Sequence, residues 1–122
     1  MTVTRWLTGS ALLLLVATAH AHAHLTAAVP ADGSAGKAPE HIVLTFSEAA
    51  RITVMTLQRD AEEPRRLVPP AETAARITVQ LPRLLPGRYT LSWRVVGDDG
   101  HVVPGVLHFT VLESPAAGGG GG

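Results

Sequence analysis

The run from Pro86 to Val96, P-G-R-Y-T-L-S-W-R-V-V, alternates apolar and polar residues after a turn-forming Pro-Gly pair. Side chains along a β-strand change face at every residue, so Tyr89, Leu91, Trp93 and Val95 share one side and Arg88, Thr90, Ser92 and Arg94 the other. Such a strand buries one face and wets the other, and it needs neighbours of the same pattern to do so. The chain supplies them. Leu25 to Val29 reads as a first short strand, closed by Pro30-Ala31-Asp32-Gly33-Ser34. His41 to Ser47 sets Ile42, Leu44 and Phe46 on one face. Arg51 to Gln58 reads with Ile52 and Val54 inward and Met55 and Leu57 opposite. A prolyl loop with an edge strand at Arg65 to Val68 follows, then Ala75 to Leu81 with Ile77, Val79 and Leu81 alternating. The last strand spans about Val102 to Leu112, with Leu107, Phe109 and Val111 inward and Pro104-Gly105 as a bulge or edge break.

No segment sustains a helical period. Some seven short strands separated by Pro, Gly and Asp turns predict an all-β chain, an immunoglobulin-like antiparallel Greek-key sandwich or barrel with Trp93 in its core. The sequence contains no cysteine, so neither disulfides nor thiolate metal sites are available and stability must come from the core. Ten Lys and Arg balance ten Asp and Glu, which argues against nucleic acid as a partner, because that binding rests on clustered positive charge.

The ends differ from the middle. Met1 to Arg5 carries one positive charge and Trp6 to Val16 is apolar, too short to span a bilayer but suited to a cleaved export leader. Ala17 to Leu25 reads A-T-A-H-A-H-A-H-L and offers three small-x-small cleavage sites, after Ala19, Ala21 or Ala23. Each leaves histidine first, and the α-amine and ring of a terminal histidine can chelate one ion together. No membrane span remains after cleavage. The tail beyond Glu113 ends in five glycines and reads as disordered.

Candidate chemistry is confined to histidine and acid. There is no G-x-S-x-G, H-E-x-x-H or phosphate loop. Histidines and acids cluster twice, at the new N-terminus and at Asp98-Asp99-Gly100-His101. In extended chain residues i and i+2 face the same way, so Asp99 and His101 can meet one ion, as can His22 and His24. An amine, imidazoles and a carboxylate without sulfur favour Cu(II), with zinc as competitor. These donors bind metal only when deprotonated, so affinity falls with pH. His41 and His108 read as solvated surface histidines. Glu48 sits where a strand gives way to loop, either as a solvated acid or as support for a metal-binding histidine.

Together these segments resemble the CopC family of copper-binding proteins. The likeness rests on H-A-H-L-T-A-A-V-P-A-D-G-S at His22 to Ser34, I-V-L-T-F-S-E at Ile42 to Glu48, P-G-R-Y-T-L-S-W-R-V-V at Pro86 to Val96 and D-D-G-H-V-V-P-G at Asp98 to Gly105. The resemblance selects His22 as the mature first residue, through its spacing to Pro30. That divides the chain into a leader over 1–21, a binding domain over 22–113 and a tail over 114–122. It implies a monomeric, periplasmic, non-enzymatic protein binding one Cu(II) through His22, Asp99 and His101, with His24 as an additional ligand and Glu48 as outer support. A membrane copper transport protein of the CopD type is the implied partner, and sequestration or delivery of copper the implied role. Val102 departs from the proline that often follows the loop histidine, and the methionine-rich segment of some members is absent. Two rival classes remain: a copper oxidase with a histidine brace, and a structural sandwich with incidental histidines.

Overall fold

The computed structural model describes residues 23–113, so the leader, His22 and the glycine tail lie outside it. Seven strands follow in order: β1 Leu25–Val29, β2 Ser34–Gly36, β3 His41–Arg59, β4 Arg65–Arg66, β5 Ala74–Gln80, β6 Gly87–Gly97 and β7 Val102–Val111. There is no helix among the described residues, and none of them forms a helix long and apolar enough to cross a membrane.

β3 organises the rest. The two strands expected at His41 to Ser47 and Arg51 to Gln58 are one strand of 19 residues. Its first half pairs with β1 on one side and β5 on the other, for example Leu44 with Ala28 and with Ile77. The ladder with β5 is irregular between Thr45 and Ala50, and beyond it β3 pairs instead with β6 and β4. β6 pairs with β7, and β7 with β2. One strand thus passes from the first group (β1, β5) to the second (β4, β6, β7, β2), and the inner faces of both groups close on a single core. Ile42, Leu44, Phe46, Ile77 and Val79 come from the first group and Ile52, Met55, Leu57, Leu91, Trp93, Val95 and Leu107 from the second, all buried in one cluster. Phe46 meets the indole of Trp93 edge to face, with centroids 6.3 Å apart at 82°, joining the two groups directly.

Three details differ from the alternation in the sequence. Val54 faces solvent while Met55 and Leu57 are fully buried. The β3–β6 register shifts between Ile52 and Val54, and this bulge at Thr53 adds one residue that reverses the parity of everything after it. Second, Ser34–Gly36 pairs in parallel with Phe109–Val111, so the sheet is mixed rather than purely antiparallel. Asp32 and Gly33 anchor that segment: Asp32 Oδ1 accepts the His108 amide at 2.8 Å and Gly33 N–H donates to His108 O at 2.6 Å. Third, Pro104-Gly105 does not break the strand, since the β6–β7 register runs without a shift from Gly87 opposite Val111 to Val96 opposite Val102. Gly105 lies opposite Trp93, and a side-chain carbon there would fall 2.3 Å from the indole Nε1 and Cε2. The glycine makes room for the ring.

Candidate metal centre

The β6–β7 connection is a tight turn of four residues. Gly100 N–H donates to Gly97 O at 3.0 Å, and Gly100 takes the left-handed conformation, φ 77°, that favours glycine. Within it Asp99 does two things. Its Oδ1 accepts the backbone N–H of His101 at 3.0 Å, and its Oδ2 lies 3.0 Å from His101 Nδ1. The i, i+2 pair therefore does meet, although through the fold-back of a turn rather than along a straight strand. Both side chains reach solvent, Asp99 at 32% and His101 at 62% exposure, so an ion can approach.

The start of the described chain arrives at the same end of the domain. His24 N–H donates to Ser47 Oγ at 3.2 Å and Ser47 N–H donates back to His24 O at 2.8 Å, which ties this segment to β3 one residue before Glu48. Ala23 is buried, at 1% exposure, and its methyl faces Gly97. Gly97 is where these groups converge. A side-chain carbon built on it would stand 2.6 Å from Glu48 Oε1, 3.5 Å from Ala23 Cβ and 3.6 Å from Asp99 Oδ1. Glu48, Ala23 and the Asp99 carboxylate thus gather around a backbone without a side chain, and Glu48 lies within the irregular stretch of β3.

The candidate residues fall into two groups. Asp99, His101 and Glu48 share one end of the sandwich, and the chain enters beside them at Ala23. His24 is there too by its backbone, with its side chain exposed. His22 lies outside the described residues. Among the described residues no group of three His, Cys, Asp or Glu side chains could hold an ion. His41 is exposed, remote from the site on the first strand half, and His108 is exposed near Asp32, 3.6 Å from ring to carboxylate. Met55 is fully buried in the core, in no position to bind a metal. Sequence reading missed Gly97, Ser47 and the burial of Ala23. Only the Gly-Asp-Asp-Gly turn pattern could have pointed to Gly97, and it gives no reason for the first glycine.

Comparison with known proteins bears on what such a site belongs to. The CopC domain family matches residues 25–112. Copper resistance protein C of Escherichia coli is 31% identical over 117 residues, covering 86% of this chain and 93% of that protein. The crystal structure of PcoC, a methionine-rich copper resistance protein of Escherichia coli, superposes with a TM-score of 0.57 at 31% identity, covering 75% of this chain and all of that one. CopC from Methylosinus trichosporium OB3b gives a TM-score of 0.60 at 24% identity over 74% of this chain and 93% of that one, a likeness of fold. A match across nearly the whole described domain, with a relative above 30% identity over almost its full length, assigns the chain to the CopC family of copper resistance proteins, which are not enzymes.

Proposed function

We propose that this protein binds a single Cu(II) through His22, Asp99 and His101, and that it does so in the periplasm after the leader ending at Ala21 is removed. His22 contributes its new α-amine and its ring, Asp99 a carboxylate and His101 an imidazole. Glu48 stands beside them as an outer acid and His24 as an additional donor. The role is to hold copper or pass it to a membrane copper transport protein of the CopD type.

One observation carries this reading: Ala23, the residue bonded to His22, is buried against the turn that carries Asp99 and His101. The donors present suit the ion, since nitrogen and carboxylate oxygen without sulfur are the set Cu(II) favours. The Asp99–His101 contact is also of the kind that orients an imidazole for metal. Bound copper here is cargo, and the protein's work is to keep donors deprotonated, oriented and close together.

An alternative mode uses only the first three residues: the amine, two deprotonated amides and the ring of His24. It requires the amide of His24 to lose its proton, whereas that N–H donates to Ser47 Oγ in the fold. The folded site is therefore favoured over the peptide mode. Competitive Cu(II) titration of the secreted protein and its Asp99→Ala and His101→Ala variants tests this. Removing even an outer partner of a metal ligand costs on the order of 10- to 100-fold in affinity, so loss of a ligand should cost at least tenfold. Unchanged affinity in both variants would refute the site.

A further inference from the structure

The outward side of the second group of strands is charged unlike the rest of the molecule. β3 from Arg51 onward, β4, β6 and β7 contain six arginines and no Asp, Glu or Lys. Residues opposite one another in a ladder share a face. Across the sheet the outward rows read Arg51–Val96–Val102, Val54–Arg94–Pro104, Arg66–Thr56–Ser92–Val106, Gln58–Thr90–His108 and Arg88–Thr110. Four of the six arginines, Arg51, Arg66, Arg88 and Arg94, therefore stand on one exposed face. The ion pairs that arginine makes among the described residues all belong to Arg59, so none of these four guanidiniums is held in one. Between them lie Val54, Val102 and Val106, exposed at 36%, 56% and 50%. Carboxylates stand at the rims: Asp98 and Asp99 in the turn at one end, and Asp32, Asp60 and the Glu62-Glu63 pair of the β3–β4 turn at the other.

A neutral chain that concentrates cations around exposed valines on one sheet face has a surface complementary to carboxylates. We propose that this face docks a protein partner bearing an acidic patch, with the Asp99–His101 turn at the edge of the contact. Guanidinium forks match carboxylates in bidentate fashion, and arginine without lysine is the composition of protein interfaces. A second copy of this chain is disfavoured, because two such faces would oppose like charges. A lipid surface is disfavoured as well: the face has no exposed aromatic or leucine side chain to enter a bilayer. Five rows at about 6.7 Å and three strands at about 4.8 Å span on the order of 400 Å², half of what one partner gives to a standard interface. The complex is consequently transient and steered by charge, as suits a hand-over next to the metal end.

The proposal adds a partner surface to the copper reading but is tested without metal, so either can fail alone. The metal-free secreted protein, labelled with 15N, is titrated at low salt with a glutamate-rich octapeptide and separately with phosphatidylglycerol vesicles. Amide shifts should concentrate on Arg51, Arg66, Arg88, Arg94 and their row neighbours, and binding should weaken steeply with salt. Arg51→Glu with Arg94→Glu should weaken peptide binding at least tenfold. Arg76→Glu with Arg83→Glu, an equal charge change at exposed positions elsewhere, should weaken it less than twofold. Equal loss in the two double variants, or shifts spread over the whole surface, would overturn the proposal. Binding to vesicles without peptide shifts would overturn it in favour of lipid, and a concentration-dependent dimer through this face in favour of self-association. The wild-type shift map decides the matter even if the first double variant does not fold.

Discussion

Replacing Gly105 by alanine adds one methyl group to β7, and the structure gives the size of the conflict. The new carbon would lie 2.3 Å from Trp93 Nε1 and Cε2 and 2.5 Å from Cζ2. Carbon contacts settle at about 3.5 Å, so the two groups overlap by about 1.2 Å. Neither can yield easily. The indole is buried at 4% exposure and rests edge-on against Phe46, and Gly105 is held in an unbroken ladder with β6. Overpacking a core costs about 1–3 kcal/mol, and disturbing an aromatic pair adds about 0.5–1.5 kcal/mol. We expect Gly105→Ala to destabilise by about 2–4 kcal/mol, which for a domain of this size lowers Tm by about 10–30 °C. Thermal unfolding followed by circular dichroism measures this, with indole fluorescence reporting movement of the ring. Combining the change with Trp93→Leu separates the cause, since a smaller side chain vacates the space and the alanine should then cost little. A Gly105→Ala protein within about 0.5 kcal/mol of the wild type would refute the reasoning.

Other perturbations divide fold from site. Gly97→Ala makes a similar overlap, but with Glu48 Oε1, the end of a flexible side chain, so stability should change by less than about 1 kcal/mol while Cu(II) affinity falls. In a Glu48→Ala background the same change should cost no affinity, and a loss there would show that Glu48 is not the group displaced. Residues added before His22 should weaken copper binding, because they remove the free amine, and a tagged protein of equal affinity would exclude the amine as a ligand. Burial raises the Tyr89 phenol above its ordinary value, against the opposing pull of Arg59. The folded state therefore holds the proton more tightly than the unfolded chain. This contribution to stability is complete below about pH 10 and is lost as pH rises through the folded value. Tyr89 is the sequence's one tyrosine, so tyrosinate absorbance follows it alone, and a midpoint at or below about pH 10 would contradict its burial.

Much of this protein follows from local pattern. Period-two alternation locates β1, both halves of β3, and β5, β6 and β7, and it assigns Ile42, Leu44, Phe46, Leu91, Trp93 and Phe109 to the core, because burial of one face is written residue by residue. The Asp99–His101 contact is equally local, two residues apart within one turn. Tertiary structure decided what depends on pairing between distant segments. A single bulge at Thr53 turned Val54 outward and Met55 and Leu57 inward, and alternation alone contains no sign of an extra residue. β2 found a parallel partner 75 positions away in β7, and Gly105 proved to be room for a ring on β6. The arginine face likewise exists only once β3, β4, β6 and β7 lie side by side. So does the gathering of Ala23, Glu48 and Asp99 around Gly97: three segments that share no local signal, brought together because the strands that carry them must close over one core.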